Sequence, residues 1–182
     1  MKSNNSREKW IQAGYFLFAE NGPSNLSIQK LAAIASLPRT NFYYHFKDKD
    51  ELIDNLIEVH CTITEEYLKV IREEIKYFLP DLHIISMRYP TSLKFFRQFF
   101  LNRHISKYND LYISLNRMAN PILIPKMLSY YDSSISYDIA EPLWMTVLDT
   151  WYSRLDVDNL SVEHLCEKTE TIMKTVFDFS NR

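Results

Sequence analysis

The scarcity of glycine constrains this chain more than any other feature of its sequence. Two glycines, Gly14 and Gly22, occur among 182 residues, whereas seven prolines punctuate the chain at wide intervals. Apolar residues recur at the three- and four-residue spacing of amphipathic helices, and no alternating strand pattern of useful length competes with it. The chain is therefore predicted to be all-α.

The same shortage excludes two large classes of nucleotide-binding enzyme. A dinucleotide fingerprint needs three glycines within six residues, and a phosphate-binding loop needs two glycines followed by a lysine. Neither motif can be written with the two glycines present, and HExxH, GxSxG and the Glu-x-x-His pair of a di-iron bundle are also absent. We expect no catalytic residue, no metal and no cofactor.

Prolines and one serine mark the boundaries of the predicted helices. Pro23 closes the first helix, Ser27 caps the second, and Pro38 opens a third of seven residues, because a helix start tolerates a residue without an N–H group. Further prolines at positions 80, 90, 121 and 125 divide the chain that follows. The predicted helices, apart from the third, lie around residues 6–20, 28–35, 48–78, 82–88, 91–103, 108–131, 135–154 and 161–179.

The second and third helices are too short to form a stable unit by themselves. They are joined by Ser36 and Leu37, and they need the first helix to cover them. Three helices in this order form a helix-turn-helix unit, which presents its last helix to the major groove of DNA. We expect a helix-turn-helix DNA-binding domain over residues 1–47 and a second helical domain over residues 48–182.

The distribution of charge agrees with a nucleic-acid partner at the front of the chain. Residues 1–50 carry seven basic and four acidic side chains, whereas the whole chain has a net charge of −2. A basic front and an acidic remainder are expected when one end meets a polyanion. No run approaches the roughly 18 apolar residues of a membrane span, and no signal peptide is visible. We therefore expect a cytoplasmic protein.

The segment Leu26–Ile53 carries aromatic and charged residues in a fixed order across a predicted turn. The residues are, in sequence, Phe42, Tyr43, Tyr44, His45, Phe46, Lys47, Lys49, Glu51 and Leu52. This pattern resembles the DNA-binding signature of TetR-family transcriptional regulators, over roughly residues 6–55. It departs from the family pattern at Ser36, where a turn glycine is usual, and at Pro38, where a capping serine is usual.

Side chains on the third helix and beside it are the predicted DNA contacts. Arg39 can donate two hydrogen bonds to one guanine, and Thr40 offers a methyl group to thymine. Asn41 can read adenine, touch a phosphate or support the start of the helix, and these alternatives are open. The full predicted set is Ser27, Arg39, Thr40, Asn41, Tyr43, Tyr44, His45 and Lys49.

Phosphate contacts are expected from side chains that donate hydrogen bonds without reading sequence. Tyr43, His45 and Lys49 are such donors, and the helix start at Ser27 adds backbone N–H groups. A histidine held by a neighbour within the protein is the equally open alternative for His45. Phe42 and Phe46, four residues apart on the same helix, are predicted to be core residues.

The two C-terminal helices carry apolar faces suited to pairing with a second copy. Two such helices can form half of a four-helix bundle across a two-fold axis, or they can pack within one protomer. A two-fold homodimer implies a palindromic operator, because the symmetry of the protein must match that of the DNA. The predicted interface residues are Leu143, Val147, Trp151, Ile172, Met173 and Val176.

Aromatic residues between the two ends suggest a pocket for a small hydrophobic or aromatic ligand, although the same spacing also fits a core. The predicted lining is Phe96, Phe100, Tyr112, Trp144 and Met145. The resemblance implies a homodimeric regulator, usually a repressor, that a small molecule releases from double-stranded DNA. It also implies that residues 48–182 form the ligand-binding and dimerisation domain. The alternative is a DNA-binding regulator without a ligand, or an activator controlled by a protein partner.

Overall fold

The computed structural model describes residues 2–180, with side chains described for residues 5–176. Residues 2–180 form helices and connecting turns without a strand, so the all-α prediction is confirmed. None of these helices is long and apolar enough to cross a membrane. The helices are α1 (Lys2–Asn21), α2 (Ile28–Ala35), α3 (Arg39–His45), α4 (Lys49–Glu74), α5 (Asp81–Ser86), α6 (Pro90–Leu101), α7 (Ser106–Tyr130), α8 (Tyr137–Arg154) and α9 (Val162–Ser180), with a 3₁₀ turn at Pro23–Asn25.

The predicted caps and turn of the first three helices are present. The Ser27 hydroxyl accepts a hydrogen bond from the backbone N–H of Lys30 at 3.3 Å, and it caps α2 as predicted. Ser36, which ends α2, has φ 54° and ψ 45°. This left-handed conformation is the one for which glycine is usual after a helix. The chain therefore turns from α2 to α3 within three residues.

α4 is the longest helix, and its start is fixed by two acidic side chains. The Asp48 carboxylate accepts the backbone N–H of Glu51 at 2.9 Å, and the Glu51 carboxylate accepts that of Lys47 at 2.6 Å. The helix ends at Glu74 rather than near residue 78 as predicted. The reason is that the Asp81 carboxylate accepts the N–H groups of Lys76 and Tyr77, both at 2.9 Å, and turns the chain.

Three prolines lie inside continuous helices, and two of them were predicted to divide the chain although the helix predicted at 108–131 spans both. Pro121 and Pro125 are both within α7, and Pro142 is within α8. A proline removes one hydrogen bond from a helix, but helices in proteins are held mainly by the packing of their apolar face. In α7 that face includes Leu123 and Ile124, which are both buried. Tertiary packing here outweighs the local effect of proline.

α1 belongs to the helix-turn-helix unit and also packs along α6. The ring of Phe18 stacks on that of Phe95 with centroids 4.2 Å apart, and the Gln98 amide donates to the Ala19 carbonyl at 3.0 Å. Lys94 forms an ion pair with Glu20 at 2.7 Å. The buried core is continuous from α1 to α9. The domain boundary after residue 47 stays a prediction.

The side chains predicted for a dimer interface are mostly inside the protomer. Val147, Trp151, Ile172 and Met173 are buried, while Leu143 and Val176 are half-buried. The apolar spacing was therefore a sign of packing within the protomer, and this part of the predicted interface needs correction. The side of α8 that remains exposed carries Ile139, Pro142 and Thr146.

Candidate nucleic-acid interface and internal cavity

α3 is anchored to the helix-turn-helix unit by aromatic rings on its inner side. Phe42 and Phe46 are almost completely buried, with ring centroids 5.3 Å apart, so their prediction as core residues is confirmed. The Trp10 ring meets Phe42 edge-on at 5.3 Å. The two phenylalanines, which lie four residues apart, therefore fix which side of this short helix faces outward.

The outer side of α3 is exposed and rich in groups that can form hydrogen bonds. Arg39 and Thr40 are exposed at its start, and Tyr43 and Tyr44 remain 62% and 75% exposed. Arg39 makes no ion pair or hydrogen bond to any residue whose side chain is described. These side chains are free to meet a partner, as the sequence predicted for DNA.

Two of the predicted DNA contacts are instead bonded to α1. The Asn41 carbonyl oxygen accepts the indole N–H of Trp10 at 2.9 Å, and Nε2 of His45 lies 2.7 Å from the Ser6 hydroxyl. Bidentate recognition of adenine needs both ends of an asparagine amide, and one end of Asn41 is occupied. Of the open alternatives, the geometry favours support of the helix for Asn41 and a partner within the protein for His45.

The remaining predicted contacts lie at helix starts on either side of α3 in the chain. Ser27 is the exposed N-cap of α2, and Lys49 is the half-buried first residue of α4. Backbone N–H groups in the first turn of a helix lack partners within the helix, so such positions favour anions. Ser27 and Lys49 thus lie at helix starts that favour anions, and their contact with DNA stays a prediction.

A short exposed helix on a three-helix unit, followed by a larger helical unit, defines a helix-turn-helix protein. Residues 11–56 match the family described as bacterial regulatory proteins of the tetR family. Over residues 11–56 the chain thus matches the TetR family, and the resemblance seen in the sequence is confirmed for this segment.

Solved structures extend the likeness to the whole fold. A transcriptional regulator from Aquifex aeolicus is 20% identical with a TM-score of 0.57, over 94% of this chain and 99% of that one. A TetR/AcrR-family regulator from Thermobifida fusca is 17% identical with a TM-score of 0.58, over 91% and 95% of the two chains. At these identities the likeness shows a shared fold.

A curated relative matches the front of the chain. The uncharacterized HTH-type transcriptional regulator YerO of Bacillus subtilis is 29% identical over 72 residues. The match covers 40% of this chain and 25% of the length of that protein.

A cavity of about 130 Å³ lies among α4 to α9. Phe96 and Trp144 line it, in agreement with the predicted lining, but Phe100, Tyr112 and Met145 do not. The Tyr112 hydroxyl instead donates to Asp149 at 2.9 Å. The wall of the cavity also includes two residues predicted for the dimer interface, Val147 and Trp151.

Two buried histidines that were not predicted from the sequence line the cavity. His60 of α4 lies 2.9 Å through Nδ1 from the Tyr15 hydroxyl, and burial lowers its pKa to about 3. His83 of α5 lies 2.8 Å through Nε2 from the Thr169 hydroxyl, and burial lowers its pKa to about 4. Both imidazoles are neutral near pH 7. For His60 the sequence offered a signal. It follows Leu56 by four residues, which places it on the buried side of the predicted helix.

Proposed function

We propose that the protein is a DNA-binding transcriptional regulator that reads a palindromic operator as a homodimer and acts as a repressor in the cytoplasm. The observation that carries the proposal is the exposed side of α3, held outward by Phe42 within a TetR-family domain. Arg39 and Thr40 contact base edges. Ser27, Tyr43 and Lys49 contact phosphates, which position the helix without reading sequence.

A pair of protomers is part of this proposal because one α3 buries too little surface for tight specific binding. We propose that α8 and α9 form the contact through their exposed sides, with Ile139, Pro142 and Thr146 on α8 and Thr171 on α9. Support comes from the large apolar side chain of Ile139, which is 55% exposed. Leu143 and Val176, which are half-buried, lie at the margin of this contact.

We further propose that a small molecule in the cavity weakens DNA binding. Three residues separate the end of α3 from the start of α4. His60 of α4 lines the cavity and is hydrogen-bonded to Tyr15 of α1. Two helices that hold α3 therefore meet at the cavity wall. A ligand acts on DNA binding only to the extent that it binds the two arrangements of these helices with different affinity.

Selection of bound duplexes from a random pool, followed by affinity measurement on the recovered site, tests the proposal. We expect a site with two-fold symmetry, and we expect Arg39→Ala to lower discrimination at one position of each half-site by about 1–3 kcal/mol. Arg117→Ala, which makes the same change of charge at an exposed position of α7, is the matched control. A monomeric protein at working concentration, or no duplex binding in low salt, contradicts the proposal.

A further inference from the structure

The cavity wall has no ionic group. The residues that line it include histidines, tyrosines, serines, threonines and one asparagine, but no Asp, Glu, Lys or Arg. A charged ligand would lose its hydration there without gaining a counter-charge, and such a transfer is strongly unfavourable. The two histidines do not supply charge, because burial keeps both neutral near pH 7. The wall therefore selects an uncharged molecule.

The hydrogen bonds of Thr169 determine which nitrogen of His83 carries the proton. The Thr169 hydroxyl donates its single proton to the Leu165 carbonyl at 2.9 Å, and it accepts the indole N–H of Trp151 at 3.0 Å. Its remaining contact, with Nε2 of His83 at 2.8 Å, must then be an N–H that the imidazole donates. The neutral ring therefore carries its proton on Nε2, and Nδ1 is an acceptor.

Several polar groups of the wall are left without a partner, and Nε2 of His60 and the indole N–H of Trp144 are among them. Nδ1 of His83 and the hydroxyl of Tyr152 make no hydrogen bond to any residue whose side chain is described, and both residues line the cavity. The His83 ring is held in place because it lies parallel to Trp151, with centroids 5.9 Å apart. A hydroxyl group on a ligand can donate to an acceptor such as Nδ1 of His83, or accept from a donor such as the Tyr152 hydroxyl.

The size of the cavity limits the rest of the molecule. Its volume of about 130 Å³ is close to that of an engineered apolar cavity of roughly 150 Å³ that binds benzene. Phe96, Trp144 and Trp151 supply apolar ring surface around this space. The cavity thus has the volume and the walls for about one six-membered ring.

We propose that the cavity binds a small, uncharged ring compound bearing a hydroxyl group, of the phenol type, and that the hydroxyl donates to Nδ1 of His83. This inference rests on the proposed function for its regulatory meaning, but the binding itself does not depend on DNA. The test is isothermal titration calorimetry on the full chain at pH 7 with phenol, anisole and benzoate. Anisole has the ring and an oxygen acceptor without a proton to donate, and benzoate adds a charge.

We expect phenol to bind at least about tenfold more tightly than anisole, because anisole leaves Nδ1 of His83 unsatisfied, and we expect no binding of benzoate. His83→Leu removes the Nδ1 acceptor and supplies no other, so it should reduce the preference for phenol to about twofold or less. His104→Leu, the same change at an exposed position outside the cavity, should retain the preference.

Equal binding of phenol and anisole, tighter binding of benzoate, or no binding of phenol overturns the inference. The first comparison uses the unaltered chain, so it does not depend on whether a variant folds. Failure here would leave duplex binding by α3 untouched. Conversely, phenol that binds with the expected preference but does not alter operator affinity would support the ligand class and contradict release by that ligand.

Discussion

The outer side of α3 and the wall of the cavity are both rich in aromatic and polar side chains, but they lie in opposite surroundings. On α3, Tyr43 and Tyr44 are exposed to solvent, as is the cationic Arg39. In the cavity, neutral polar groups such as His83 are enclosed by apolar rings and lack any charged neighbour on the wall. A surface of the first kind gains affinity from charge, which salt screens. A wall of the second kind gains it from shape and from a few hydrogen bonds.

The largest expected effect is on stability, at the buried ring that holds the exposed side of α3 outward. Phe42→Ala removes a fully buried ring that contacts Trp10 and Phe46. We expect the free energy of unfolding to fall by about 3–5 kcal/mol, measured by urea denaturation. Tyr43→Ala, one residue away and mostly in water, should change it by about 0.5 kcal/mol or less. Equal losses would mean that Phe42 does not anchor the helix.

An acid-dependent loss of stability should distinguish the cavity from α3. A histidine whose pKa is lowered by folding binds its proton more weakly in the folded chain, so stability is complete above the unfolded pKa of about 6.5. It is lost as the pH falls from there towards the folded values, about 3 for His60 and about 4 for His83. Between pH 7 and pH 5, each histidine should contribute a loss of about 2 kcal/mol.

Unfolding free energies of His83→Gln at the two pH values measure this contribution. The variant should lose its share of the pH dependence, whereas His104→Gln, a change at an exposed position, should retain it. A dependence that is unchanged in His83→Gln would contradict a neutral buried imidazole at this position.

The smallest expected effect concerns the salt dependence of binding affinity, which should be strong at α3 and absent at the cavity. Lys49→Ala should weaken binding to all DNA sequences alike and reduce the slope of log affinity against log salt by about 0.9. Lys69→Ala, at an exposed position further along α4, is the control. The affinity for phenol, measured over the same salt range, should stay constant. A strongly salt-dependent affinity for phenol would remove the contrast between the two regions.

The helix-turn-helix unit could be predicted from the sequence because its signals are local. The Ser27 cap, the short turn at Ser36 and the four-residue spacing of Phe42 and Phe46 each involve neighbours in the chain. The inward hydrogen bonds of Asn41 and His45 were not predictable, since their partners, Trp10 and Ser6, lie on another helix.

The cavity and its polar groups depend on contacts that spacing along one helix does not reveal. The hydrogen bond between His83 and Thr169 joins residues 86 positions apart. The apolar spacing of Val147 and Trp151 predicted a buried face correctly, but not what buries it. A periodic pattern shows that a side of a helix avoids water, and the same pattern results from a second copy, a core or a cavity wall.

The position of α1 has a geometric consequence for the proposed pair of protomers. α1 holds α3 through Trp10, near the middle of the helix, and Phe18, near its end, stacks on Phe95 of α6. The stretch of helix between Trp10 and Phe18 spans roughly 12 Å, so tilting α1 by about five degrees about Phe18 displaces Trp10 by about 1 Å. That displacement exceeds the tolerance of a hydrogen bond, which spans about 0.5 Å. In the proposed homodimer, a small tilt of α1 beside Phe95 would therefore change the position of the two α3 helices relative to successive turns of the double helix.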